Sequence, residues 1–338
     1  MMILSPAKTL NLSPCHDSTT ATPNGTTTWT DPDCDVDKTK QVAALLRTKT
    51  ESQLAQLLGI SANLAKTARQ YWSSFQDDPN DNDDGNNNNN STNFVVIKPA
   101  LYAFSGVVYQ GLDATTLSDA AVLYLQANLR IIDPLYGVLR PLDRMQPYRL
   151  EMATKNVILF GKDGNNNNTK NNQQSIKLAD WWRPSVCQTL YHELEQRRND
   201  RILLNLASDE YSAAVDPSQL PDGTRYVKVV FWHGGRTIAI HAKRARGLMA
   251  RYVAQHNVRD LEGVTAFAEE GYRFVKGQSN DTTWVFDRST TGTTTTTMTT
   301  SKSNRAVNAK RKGQKESATT NQPQQQQRSS LRKKRQKS

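Results

Sequence analysis

"YVKVVFW" (226–232), then His233-Gly234-Gly235, then "TIAIHA" (237–242) is the stretch whose reading decides the fold. Two β-prone apolar runs around a glycine turn read as a hairpin, which predicts at least one antiparallel pair. A cationic helix over residues 246–256 is expected to follow directly. Upstream, "RILLNLAS" (201–208) reads as a buried strand that runs into Ser208-Asp209-Glu210. Helical spacing covers residues 36–49, 61–75, 118–130 and 178–196, and residues 94–97 form a short strand candidate. Thr50 with Gln53 makes a capping box, Gly59 closes that turn, and Ser61 and Ser118 cap the helices they precede. Strands mixed with helices in this way predict an α/β or α+β domain.

With 338 residues the chain can bury a substantial core. No stretch approaches the roughly 20 apolar residues of a membrane span, and polar Ser5 comes too early for a secretory leader. Cys15, Cys34 and Cys187 have no metal-ligand spacing, and an odd count gives no disulfide framework, which fits a reducing compartment. The formal charge is +11, but residues 290–338 carry twelve basic side chains against the single Glu316. Residues 1–289 therefore balance at zero, and the basic excess belongs to the tail. Residues 13–35, 77–93 ("DDPNDNDDGNNNNNSTN") and 161–175 ("GKDGNNNNTKNNQQS") lack the apolar side chains needed to offset chain entropy. They read as disordered insertions into one domain, 1–289, and 290–338 reads as a disordered basic tail.

Four clusters can carry chemistry. "IIDPLYGVLRPLDRMQPYRLEM" (131–152) joins turn residues, among them Tyr136 and Gly137, to Arg140, Arg144 and Arg149, with Arg130 just before it. A helix, a glycine hairpin and a second helix can aim backbone N–H groups at phosphate oxygens. The alternative is that these arginines pair with Asp133, Asp143 and Glu151 as structural bridges. "HAKRARGLMARYV" (241–253) sets Lys243, Arg244, Arg246 and Arg251 around an expected helix start, where the dipole disfavours cations unless an anion is present. Gly247 there permits close backbone approach.

In "LLNLASDEYSAAV" (203–215), Asn205, Ser208 and Glu210 follow a strand, where open α/β sheets bind ligands. Ser208 or Asp209 can equally be an ordinary helix cap. Ser5-Pro6-Ala7-Lys8 formally matches Ser-x-x-Lys, but no companion Ser-Asp-Asn or Lys-Thr-Gly occurs. Ser5 and Lys8 are better read as ligand-bonding groups at a strand end. The five histidines lack ligand spacing, so no metal and no cofactor is expected.

"SPAKTL" (5–10), "VYQGL" (108–112), "LYGVLRPLDRMQPYRLEM" (135–152), "NLASDEY" (205–211) and "KRARGLMARY" (243–252), in this order, resemble the YaaA family of peroxide stress proteins. The resemblance implies a single mixed α/β domain of YaaA type with a helix-hairpin-helix-like element over residues 129–144. It also implies a role in limiting peroxide- and iron-driven damage, and binding of duplex or branched DNA, largely sequence-independent, through a cationic cleft. Two positions depart from the family pattern: Pro134 replaces a usual glycine and has no N–H for a phosphate, and Ser105 replaces a usual lysine.

DNA is therefore one expected partner. A small anionic ligand is the alternative, held by Ser5, Lys8, Asn205, Ser208, Glu210, Lys243 and Arg246 as one pocket of an enzyme on a phosphorylated or nucleotide-like substrate. Carboxylates such as Glu210 beside the cations favour this alternative, because they repel a phosphate backbone. No membrane partner is expected. The cytoplasm is the expected location, or the nucleus through "KRKGQK" and "LRKKRQK".

Overall fold

A computed structural model describes residues 1–13, 21–22, 25–26, 29–33, 35–77, 97–161, 173–197 and 201–288. The tail, most of the three insertions, residues 94–96 of the strand candidate, Cys15, His16 and Cys34 lie outside the described residues.

Seven strands form the central sheet: β1 (Met2–Leu4), β2 (Leu129–Asp133), β3 (Gly137–Leu139), β4 (Ile202–Asn205), β5 (Arg225–His233), β6 (Arg273–Phe274) and β7 (Thr283–Arg288). Their order is β6-β7-β5-β4-β1-β2-β3. The five inner strands are parallel and each edge strand is antiparallel to its neighbour. Strands β1 and β2 are buried throughout, as expected for short apolar runs in a parallel sheet. The fold is thus a mixed α/β domain.

Ten α-helices surround the sheet among the described residues: α1 (Val36–Arg47), α2 (Glu51–Leu58), α3 (Ala62–Ser74), α4 (Ala100–Ala103), α5 (Val107–Leu112), α6 (Asp119–Asn128), α7 (Leu178–Glu195), α8 (Asp209–Ser212), α9 (Ala239–Gln255) and α10 (Leu261–Thr265). The local cap signals hold. Thr50 and Gln53 make a reciprocal capping box, Gly59 ends α2 at φ 62°, and Ser61 and Ser118 accept from Leu64 N and Ala121 N.

Two expected elements are different structures. The hairpin over 226–242 does not form: β5 pairs with β4 and β7, both parallel, while "TIAIHA" leads into α9. The alternation of Ile238 and Ile240 is not a buried strand face, since Ile240 is 58% exposed. The buried residues instead follow helical spacing through Ala242, Ala245, Leu248, Met249 and Val253. Helix α9 therefore starts well before Lys243, Arg244 and Arg246, and the dipole argument for an anion at its start does not apply to them.

Residues 129–144 do not form the expected helix-hairpin-helix either. Helix α6 stops at Asn128, β2 and β3 pair antiparallel, and the turn between them is a β-turn. Asp133 accepts from Leu135 N and Tyr136 N, and Gly137 takes φ 72°, so the side chain and the glycine together build a tight reversal. The end of the first insertion also docks on the domain: Arg144 N donates to Thr30 O, and Thr30 N to Leu142 O.

Candidate functional site at the carboxyl ends of β1 and β4

The chain winds outward from β1 to β2, then returns to β4 on the other side and continues to β5 and β7. Strand order therefore reverses between β1 and β4. In open α/β sheets that reversal leaves a crevice beyond the carboxyl ends of the two strands, because the loops leave in opposite directions. Ser5 follows β1 and Ser208 follows β4.

The two strand ends are tied together there. Ser208 N donates to Ser5 Oγ at 2.9 Å, and the two hydroxyl oxygens are 3.3 Å apart. Ser208 occupies the cap position of α8 but its side chain makes no capping bond, so the expected cap does not use that hydroxyl. Asn205 is buried, accepts from Ala207 N and donates to the Tyr226 hydroxyl at 2.7 Å. The Tyr109 hydroxyl donates to Ser5 O at 3.2 Å from α5.

Lys8 and Glu151 form a half-exposed ion pair on the rim at 2.5 Å. Arg149 Nη1 lies 3.4 Å from Lys8 O, and its buried Nε has no partner among the described residues. Glu210 accepts from Ala153 N at 3.0 Å, so it holds the same 149–153 segment. A cleft of about 600 Å³ opens beside this segment, lined by Glu151, Ala153 and Lys155 and by Lys49, Gln53 and Gln56 across from them. Arg246 on α9 also has a buried Nε without a partner among the described residues. Burial pushes its guanidinium pKa down and the Asp209 carboxylate acts against that shift. Asp209 is in turn paired with Lys228 at 2.6 Å.

Ser5 and Ser208 are thus bonded to each other, Asn205 bonds Ala207 N just before Ser208, Arg149 meets the Lys8 carbonyl, Glu210 holds the 149–153 segment, and Arg246 lies within the field of Asp209. The other expected residues lie elsewhere. Arg130, at the amino end of β2, pairs with Glu193 at 2.8 Å. Arg140 pairs with Asp143, and Arg144 with Asp31. Arg244 pairs with Glu270, and Arg251 bonds Leu112 O and Asp113 O. Tyr136 is buried and accepts from Gln146 N, while Lys243 is exposed on α9.

Arg130 and Arg140 do share a cleft of about 820 Å³, but there they and Arg197 face Asp33, Asp35 and Glu193. Three cations facing three carboxylates do not make a positive surface. Another cleft, of about 450 Å³, opens at the amino ends of β1 and β4 and is lined by none of the expected residues.

Asp133 was expected to bridge an arginine, yet among the described residues no arginine reaches it. It is fully buried at the carboxyl end of β2, where Tyr148 donates to Oδ2 at 2.5 Å. Burial pushes its carboxyl pKa up to about 6, against the bonds from Tyr148, Tyr136 N and Leu135 N. Asp133, Tyr148 and Tyr109 were missed as parts of this region; an Asp directly before a Pro-containing turn was the available signal. Among the described residues no group of three His, Cys, Asp or Glu side chains could hold a metal ion.

Residues 1–278 match the family model for peroxide stress protein YaaA. The chain belongs to the YaaA family. A UPF0246 protein of Burkholderia multivorans is 37% identical over 296 residues, covering 85% of this chain and 98% of its own length. A UPF0246 protein of Ralstonia nicotianae is 39% identical over 295 residues, and one of Aliivibrio fischeri 36% over 295, each with the same coverage. Membership of the YaaA family assigns the chain to peroxide stress. No helix among the described residues is long and apolar enough to cross a membrane.

Proposed function

We propose that this YaaA family member serves the peroxide stress response by binding a small anion, phosphorylated or carboxylated, in the crevice beyond β1 and β4. One observation carries the reading: Ser208 N and Ser5 Oγ join the strand ends at the sheet's point of reversal, while Arg149, close to Lys8 O, and Arg246, within the field of Asp209, each keep a buried Nε without a partner among the described residues. A buried unmatched donor costs free energy, which a charged acceptor on a ligand relieves. Glu210 and Asp209 beside these cations suit a compact ligand with its own donors better than a polyphosphate backbone.

Ligand-observed NMR with a panel of nucleotides and phosphorylated metabolites tests this. Arg246→Gln and Lys8→Ala are each expected to weaken the responding ligand roughly tenfold, the worth of one charge-assisted hydrogen bond. An unchanged binding profile in both variants removes the proposal.

Binding of duplex or branched DNA is the second reading, and the charge of residues 290–338 favours it. The arginines at 130, 140 and 144 are each matched by a carboxylate, so in this reading the tail neutralises most of the phosphates. Deleting residues 290–338 should then flatten the salt dependence of DNA binding, by about 0.9 in slope for every phosphate the tail had neutralised. A deletion that leaves the slope intact refutes a tail-driven interaction.

A further inference from the structure

Four buried phenols, Tyr109, Tyr136, Tyr148 and Tyr211, are close enough to Asp133 for its charge to raise their pKa values. They differ in where the hydroxyl proton can go. Tyr109 donates to the carbonyl of Ser5, which is not a base. Tyr136 and Tyr211 accept from the backbone N–H groups of Gln146 and Met152, and among the described residues neither has an acceptor for its own proton. Tyr148 alone of the four donates to a carboxylate, Asp133 Oδ2, at 2.5 Å.

Trp72 lies beside this pair, its ring centroid 6.4 Å from that of Tyr148, and the Tyr136 ring is 6.1 Å from Tyr148. Trp72 is fully buried and its Nε1 has no partner among the described residues. An electron hole on Trp72 or Tyr136 therefore has no base to receive the proton that a neutral radical must shed. At Tyr148 it does.

We propose that Tyr148 and Asp133 form a proton-coupled redox site at which the protein is oxidised by one electron, with Tyr148 as the resting place of the hole. The oxidant is a radical of the hydroxyl or carbonate class, such as peroxide generates with ferrous iron. One electron leaves the Tyr148 ring and reduces a hydroxyl radical to hydroxide. The O–H bond of Tyr148 breaks, and its proton forms a new O–H bond on Asp133 Oδ2. The products are a neutral tyrosyl radical, a protonated Asp133 and hydroxide, which balances atoms and charge. Asp133 suits the role: burial lifts it to about 6, so it is ionised at neutral pH yet more basic than an exposed aspartate. The groups facing it are the four phenols and the N–H groups of Leu135 and Tyr136, with no cation among the described residues to hold the charge in place.

The full-length protein is oxidised with photogenerated ruthenium(III) tris-bipyridine, frozen, and read by electron paramagnetic resonance. A neutral tyrosyl signal is expected in the wild type and in Tyr136→Phe and Tyr211→Phe, with loss of the signal in Tyr148→Phe. It should also be lost in Asp133→Asn, which keeps the phenol and removes the base. Thermal unfolding establishes that each variant is folded. If Asp133→Asn does not fold, Tyr148→Phe, which removes one hydroxyl, decides. A wild type without the signal, or an undiminished signal in Tyr148→Phe, overturns the proposal, as does its loss in Tyr136→Phe instead.

Discussion

Gly247→Ala is expected to destabilise the protein by about 3 kcal/mol or more, through backbone overlap that no side-chain movement can relieve. A Cβ placed at Gly247 would sit 1.8 Å from the carbonyl oxygen of Val108 and 2.7 Å from Leu112 N, so α5 and α9 touch backbone to backbone at this point. Gly111 makes the reciprocal approach, its Cβ position 2.2 Å from Arg244 O. Helix propensity predicts the opposite sign, since Gly→Ala inside a helix usually stabilises by about 0.5–1 kcal/mol. The contact joins the helix whose Tyr109 bonds Ser5 O to the helix that carries Arg246. Calorimetry should therefore record a fall in Tm of ~10 °C. Gly277→Ala, where nothing lies within 4 Å of the added carbon, should leave Tm unchanged. A Gly247→Ala protein as stable as the wild type would falsify the packing argument.

Asp133 should make the wild type lose stability as pH rises from about 4 to about 7. Its folded-state pKa is raised to about 6 from an ordinary 3.8 by burial. In the window between these values the unfolded chain releases the proton while the folded protein keeps it, so stability declines with rising pH and levels off above the folded value. A shift of about two units corresponds to about 3 kcal/mol. Asp143, also pushed up by burial, adds to the same trend, whereas Asp35, held down by Ser185 and Lys38 against its burial, opposes it. Comparison with Asp133→Asn removes these contributions, since both proteins share them.

The amide can keep the geometry. Its Oδ1 still accepts from Leu135 and Tyr136, and its Nδ2 can donate to the Tyr148 oxygen. Urea unfolding at several pH values should show the variant gaining on the wild type by about 3 kcal/mol between pH 4 and 7. A constant difference across that range would mean that Asp133 is not held in a charge-hostile setting.

What the sequence revealed was mostly local. The caps at Thr50, Ser61 and Ser118 and the glycine at 59 act within one turn, and each was readable from its neighbours. The segment 226–242 was not, because β5 takes its partners from residues 202–205 and 283–288 and leaves no room for the adjacent run to return as a strand. The turn at 133–137 resisted for a related reason: Leu129–Asp133 is buried throughout only because β1 lies beside it, and the residues alone do not reveal that neighbour.

Charges were the least legible feature. Arg130 and Arg144 find carboxylates at Glu193 and Asp31, more than 60 residues away along the chain, so their neutralisation is invisible without the fold. Ser5 and Ser208 were legible as strand-end hydroxyls, but their meeting was not, since it depends on β1 and β4 being neighbours.

Strand β1 is an inner strand of the sheet, yet its two neighbours are made about 125 and 200 residues later. During synthesis its apolar side chains emerge with nothing to cover them, and the hydroxyl of Ser5 waits equally long for its mate. Strand β1 can pair with β2 once residue 133 is made, but its other side stays open until β4 has left the ribosome. The junction of Ser5 with Ser208 is accordingly a marker of late folding: a nascent chain truncated before residue 205 spans every helix up to α7 but lacks the strand end that closes it.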